Sequence, residues 1–184
     1  MMRFRFFEVN DSYIDYCRAF DSIVPDNKIG NRIHTRKFIG IVLKIGDFEY
    51  FAPLSSYKPK HEHMRENIDF VKINDHDGGY AVINLNNMIP VPPDAVIEID
   101  IDAETDVKYR SLLQKQFQIC RDKRSSIIGK AQRLYEIVTV HRTPRIVNRC
   151  CNFKLLEVKC KEFTRQATDT VTLEETAISE KMDK

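Results

Sequence analysis

The chain has 184 residues, 42% of them hydrophobic, enough for one compact domain with a substantial core and short for two. Its apolar runs never reach the roughly 18 residues that a bilayer-crossing helix needs, and the opening MMRFRFFEVN puts charges where a signal peptide needs an apolar stretch; a membrane or exported protein is disfavoured and a cytoplasmic one expected. The formal net charge of +2 hides strong segregation: residues 31–65 carry seven bases against three acids, 66–107 one against ten, and 108–165 fifteen against four.

In chain order, RFRFFEV reads as a strand, and DSYIDYCRAFDSIV after it places Ile14, Cys17 and Phe20 at helical spacing behind an Asp or Ser cap. VPDNKIGNRIHTRK is a polar loop ending in the bases Arg32, His34, Arg36 and Lys37. FIGIVLKI and FEYFAPL form a hairpin across Gly46-Asp47, because glycine accepts the positive φ of a two-residue turn. IDFVKI and YAVINL repeat that logic around NDHDGG. The proline-rich MIPVPP is expected to break the pairing before a last strand, AVIEIDI. This yields an antiparallel sheet curled into a partial barrel.

From Thr105 the period becomes helical. Tyr109, Leu112, Leu113 and Phe117 share one face; Ile127, Ile128, Ala131, Leu134, Tyr135 and Val138 share another. After Pro144 a third helix is expected, with Ile146, Cys150, Phe153, Leu156, Cys160 and Phe163 inward and Arg149, Lys154, Lys159 and Lys161 outward. One domain over 1–166 and a polar, acidic tail over 167–184 complete the reading: an α+β protein with an N-terminal helix and C-terminal helices.

The five cysteines form no CxxC pair and fall on apolar stripes, where a thiol acts as a small hydrophobe. His61 and His63 lack the further close ligands of a zinc site, so no metal is expected. The acidic run Asp94, Glu98, Asp100, Asp102, Glu104 and Asp106 reads as an exposed strand face and a helix N-terminal turn; its alternative is a divalent-cation site of a metal-dependent nuclease. Two basic tracts suit a polyanion, since Lys and Arg supply most sequence-independent affinity for nucleic acid.

The densest chemistry is SSYKPKH, where Ser55, Ser56, Tyr57, Lys58, Lys60 and His61 crowd the end of a strand. Cleaving RNA without a metal requires a proton acceptor for the ribose 2'-OH, a donor to the phosphoryl oxygens and an acid for the leaving 5'-oxygen. Lys58 suits the phosphate, Ser56 a hydrogen bond to it or to the 2'-OH, and Ser55 and Arg36 are supporting donors. His61 suits proton exchange in either direction. A Ser-Ser-x-Lys loop alone is more often a solvated turn.

The whole stretch FIGIVLKIGDFEYFAPLSSYKPKH, together with the β-then-α opening, resembles the ToxN/AbiQ endoribonuclease toxins of type III toxin–antitoxin systems, whose FIGIVL-like strand and hairpin lead into an APL-(Ser/Thr)-Ser-x-Lys loop. The resemblance implies a core related to the MazF/Kid barrel and metal-independent cleavage to a 2',3'-cyclic phosphate and 5'-OH, with no cofactor. It implies inhibition by a small, folded, pseudoknot-like repeat RNA in a multimeric protein–RNA assembly, cellular and phage RNA as substrates, and a role in abortive phage infection. By position it assigns catalysis to Arg36, Ser55, Ser56, Lys58 and His61. RNA contacts are expected from Arg32, His34, Lys37, Tyr57, Lys60, Arg149, Lys154, Lys159 and Lys161. The alternative is a non-catalytic RNA-binding regulator on a related barrel.

Overall fold

The computed structural model describes residues 4–27 and 35–165; Arg32, His34 and the expected tail over 167–184 lie outside them. Strand β1 (Arg5–Val9) leads into helix α1 (Asp11–Phe20), and β2 (Phe38–Ile45) and β3 (Phe48–Ser56) form the expected hairpin, Gly46 turning at φ 55°. After a single helical turn α2 (Lys60–His63), β4 (Phe70–Asp75) and β5 (Gly78–Asn84) make the second hairpin. Its strands run further into NDHDGG than expected, leaving only His76-Asp77 as the turn.

All strands pair antiparallel in a seven-stranded open sheet of order β4-β5-β3-β2-β1-β7. The extra strand is β6 (Ile89–Pro90), and the proline-rich segment thus does not break the pairing: Ile89 lies opposite Phe51 and Pro90 opposite Tyr50. Proline is compatible with so short a strand because it forfeits only one donor, and the Pro90 carbonyl accepts from Tyr13 Oη at 2.6 Å. The last strand, β7 (Val96–Glu98), is shorter than AVIEIDI suggested. It ends where Asp100 Oδ1 accepts the N–H groups of Asp102 and Ala103 and turns the chain. Asp106, the last carboxylate of that run, caps the next helix through the N–H groups of Lys108 and Tyr109.

Three further departures concern the helices. In α1 the inward face is Tyr13, Ile14 and Cys17, while Phe20 is 44% exposed and lies beneath the Lys159 ammonium. In α3 (Val107–Asp122) Leu113, Gln116 and Cys120 are buried; Gln116 takes an expected apolar place because its amide donates to the Tyr80 carbonyl at 3.1 Å. The second expected helix, α4 (Arg124–Glu136), runs on through a π turn to His141 and stops at left-handed Arg142, and the third is divided: α5 covers Pro144–Val147 and α6 spans 153–165. Between the last two, the chain is tied by Cys151 N–H to the Asn86 carbonyl (2.9 Å) and Asn152 N–H to Asp21 (2.7 Å). No helix of the described residues is long and apolar enough to cross a membrane.

Helix α3 packs on β4 and β5 and α4 on β2, over a core that contains Phe6, Phe38, Tyr50, Phe51 and Phe153, with all five cysteines free and buried. Gly40 faces Phe51 across the β2–β3 ladder, and a Cβ there would come within 2.1 Å of the ring. The carboxylate of Glu157 is buried with these side chains. Glu157 on α6 accepts from Tyr50 Oη (2.9 Å), Tyr135 Oη (2.6 Å) and Lys154 Nζ (2.9 Å); burial and the neighbouring carboxylate push the Tyr50 hydroxyl far above its usual range. Replacing Glu157 by Ala strands both phenols, so the variant is expected to lose about 2–4 kcal/mol of unfolding free energy. Urea denaturation checks this, with Tyr50→Phe, which leaves the other two donors in place, losing only about 1 kcal/mol.

Candidate active site at the end of strand β3

Register explains which residues meet at this strand end. Phe38 pairs with Pro53, and the Leu54 N–H donates to the Lys37 carbonyl at 2.8 Å, so continuing the ladder by two residues sets Arg36 beside Ser55. On the other edge Leu54 pairs with Ile83, which makes Asn84 the diagonal neighbour of Ser55 on the same face. Arg36 is 6% exposed. Its Nε and Nη2 donate to the Asp26 carbonyl (3.3 and 3.2 Å), and its Nη1 to the Leu54 carbonyl (3.1 Å) and Ser55 Oγ (3.2 Å). Asn84 Nδ2 donates to the same Oγ at 2.9 Å. A guanidinium remains charged when buried, and these acceptors replace its lost water.

Ser56 ends the strand, exposed and opposite Ala81. Consecutive strand residues project to opposite faces, so the two hydroxyls read together from the sequence leave the strand on different sides. Lys58 and Lys60 are exposed just beyond.

The turn that carries Lys58 is closed by His61. The Lys58 N–H donates to His61 Nδ1 at 2.9 Å, and the His61 N–H returns to the Lys58 carbonyl at 2.8 Å. His61 is 7% exposed, and burial, then the charges of Lys60, Lys58 and Lys72, hold its pKa below the ordinary value. The ring is therefore neutral near pH 7, with Nδ1 accepting and the proton on Nε2. Tyr57 stands edge-on to it, with ring centroids 5.4 Å apart, and lies against Gly79, where a Cβ would meet the phenol ring at 2.3 Å. Glycine is required there by close approach, as it is at Gly40.

The other expected RNA contacts are dispersed. Lys37 pairs with Glu8 and lies 5.9 Å from the Tyr109 ring. Arg149 pairs with Asp69 (2.7 Å), Lys154 with Glu157 (2.9 Å) and Lys159 with Glu162 (2.7 Å), while Lys161 sits 5.0 Å above the Phe48 ring. Sequence reasoning missed Asn84 and Gly79. Both lie in the second hairpin, and only its register against β3 reveals them.

These elements define an α+β domain that presents hydroxyl, ammonium and imidazole groups on a strand end backed by a buried arginine. The profile of the toxin ToxN family, type III toxin–antitoxin system, matches residues 5–161, and the chain belongs to that family. It is 35% identical over 167 residues to the endoribonuclease ToxN of Bacillus thuringiensis subsp. kurstaki, covering 86% of this chain and 84% of that one. It also resembles a solved type III toxin that is selectively inhibited by a non-coding RNA pseudoknot (TM-score 0.79, 34% identity, 88% of this chain and 98% of the other). A third likeness is to AbiQ, a lactococcal anti-phage endoribonuclease (TM-score 0.77, 28% identity, 88% and 98%).

The arrangement predicts a pH effect. Because His61 titrates lower in the folded chain than when unfolded, the unfolded chain binds more protons below about pH 6.5, and stability falls as pH drops through that range. His61→Asn, whose carbonyl can replace Nδ1 as the acceptor, is expected to abolish this part of the fall between pH 7.5 and 5.5 in urea denaturation. If instead the wild type and His61→Asn lose stability in parallel, His61 is not held neutral by the turn.

Proposed function

We propose that this chain is a metal-independent endoribonuclease, the toxin of a type III toxin–antitoxin system, and that its reaction takes place at the end of β3. The observation that carries this reading is the convergence of buried Arg36 on Ser55, one residue before the exposed Ser56 and three before Lys58, in a chain that belongs to the ToxN family. The reaction assigned to the site is attack of a ribose 2'-oxygen on the adjacent phosphorus. The 2'-O–P bond forms as the 2'-OH proton passes to solvent, the P–O5' bond breaks as the leaving 5'-oxygen takes a proton from solvent, and the products are a 2',3'-cyclic phosphate and a 5'-OH.

Lys58 is assigned the phosphoryl charge that builds in the transition state, a role suited to an ammonium on a fixed turn. Ser56, exposed at the strand terminus, orients the 2'-OH. Ser55 donates to the phosphate, and Arg36 holds it. His61 sets the Lys58 turn through Nδ1, leaving its Nε2–H as a hydrogen-bond donor beside the phosphate. Tyr57 and Lys60 flank these groups, a base-stacking ring and a phosphate-binding ammonium. Lys58, Ser55 and Ser56 supply the charge stabilisation and orientation that a metal ion would otherwise provide, which supports metal independence. The Asp75, His76 and Asp77 cluster, whose ligand atoms lie within 4.8 Å of one another, already holds the Lys115 ammonium at 3.0 Å from Asp75 and 2.8 Å from Asp77.

The inhibitor assigned to this chain is a small, folded repeat RNA, bound in a multimeric protein–RNA assembly in the cytoplasm; inhibition of a solved relative by a non-coding RNA pseudoknot supports this. Cellular and phage RNAs are its targets. Of the expected RNA contacts, Arg149, Lys154 and Lys159 would exchange an intramolecular carboxylate for a phosphate, which reduces what each contributes to binding.

Cleavage of a labelled RNA tests the reading. Lys58→Ala is expected to lower the cleavage rate on the order of 10²-fold or more and to abolish toxicity on expression, with RNA affinity falling less than 10-fold, about 1.4 kcal/mol. EDTA is expected to leave the rate unchanged. Full activity of Lys58→Ala would remove the catalytic assignment, and loss of activity in EDTA would overturn metal independence.

A further inference from the structure

The hydroxyl of Ser55 is constrained more tightly than a serine at a strand end needs to be. A serine oxygen has two acceptor lone pairs and one proton. Arg36 Nη1 at 3.2 Å, from the segment just before β2, and Asn84 Nδ2 at 2.9 Å, from the end of β5, donate to it, so both lone pairs are filled. The proton is left with the remaining direction, away from both donors. Arg36 is cationic, which polarises the O–H further and strengthens any bond it gives. Ser55 is thereby converted from a group that donates or accepts into one that only donates.

We infer that Asn84 is a positioning residue for RNA cleavage: with Arg36 it aims the Ser55 O–H at a non-bridging phosphoryl oxygen of the scissile phosphate. This rests on the reading above that the reaction occurs at the end of β3. A phosphoryl oxygen carries charge and accepts without donating, the complement of a hydroxyl whose lone pairs are occupied. The same arrangement removes Ser55 as a proton acceptor for the 2'-OH. Asn84 is well placed for this duty. Its backbone pairs with Phe70 on β4, and fully buried Leu85 follows it, so the amide sits on an anchored strand end. An amide is also the right group: a carboxylate at this position would accept the Ser55 proton and turn it inward.

The test is a double-mutant cycle on single-turnover cleavage at saturating RNA, with KM measured alongside. Asn84→Ala frees the hydroxyl to rotate and is expected to lower kcat about 10-fold with KM changed less than about twofold, because the bond strengthens as charge builds in the transition state. In the Ser55→Ala background the same substitution is expected to have no further effect. Losses that multiply in the double variant would show that Asn84 acts independently of Ser55 and would overturn the inference, as would wild-type kcat in Asn84→Ala. Should Asn84→Ala melt early, near-isosteric Asn84→Asp serves: it must cost more kcat than Ser55→Ala does, and equal or smaller loss counts against the proposal. Lys58→Ala in the same assay separates the two levels. If it remains active, the site reading fails; if it is inactive while Asn84→Ala is unimpaired, only the role of Asn84 fails.

Discussion

Burial of the Arg36 guanidinium is the constraint on which this end of the molecule depends. The group cannot shed its charge, so its donors must be met, and the acceptors it uses come from two places: the carbonyl of Asp26 beyond α1, and the Leu54 carbonyl and Ser55 hydroxyl at the end of β3. One side chain thus joins the loop after the first helix to the strand that carries the candidate site. Breaking such a set of bonds on one side leaves an uncompensated buried charge, at a cost of about 3–5 kcal/mol. The clamp and the sheet register are mutually dependent, because Arg36 reaches Ser55 only in the pairing that sets Phe38 opposite Pro53.

Around this point the molecule separates rigid and accessible chemistry. The groups that orient, namely Arg36, Asn84 and His61, are buried or half-buried and bonded to backbone or to the Ser55 hydroxyl. Of those assigned to touch RNA, Ser56, Lys58 and Lys60 are exposed and Ser55 and Tyr57 half-buried. A strand end suits this division, since the sheet restrains the backbone while the last side chains reach solvent. The helical half contributes at a distance: Glu157 gathers the Tyr50 and Tyr135 phenols and the Lys154 ammonium, and so braces β3 well before its terminal residue.

Charge segregation along the chain does not translate directly into a basic face. The excess of bases over 108–165 is genuine as a sum, yet Arg149, Lys154, Lys159 and Lys115 each close an ion pair with an acid, and Lys161 lies over an aromatic ring. Several of these acids, among them Asp69 and Asp77, come from the acidic middle segment. Folding lays the acidic segment against the basic one, and the local field that RNA meets depends on what remains unpaired near the site, not on segment totals.

The sequence by itself determined the elements that local physics controls. Gly46-Asp47 between two β-rich runs was enough for the first hairpin, the 3.6-residue period for the long helices, and the run Ser55 to His61 for proposing a candidate site; the family was legible in FIGIVL and APLSSYK because those residues are contiguous. Where long-range contacts decide, the sequence was silent or misleading. Pro90 joins the sheet because Tyr50 lies beside it, Gln116 is buried because the Tyr80 carbonyl awaits its amide, and the stripe from Ile146 to Phe163 divides because Asn86 and Asp21 seize the chain between its halves. The separation of Ser55 from Ser56 follows from the strand pleat, which adjacency in sequence conceals. Asn84 reaches Ser55 from 29 residues away, and only the register of β5 against β3 brings the two together. Periodicity reports which face of an element is apolar; which residue of another element lies opposite is fixed by tertiary pairing.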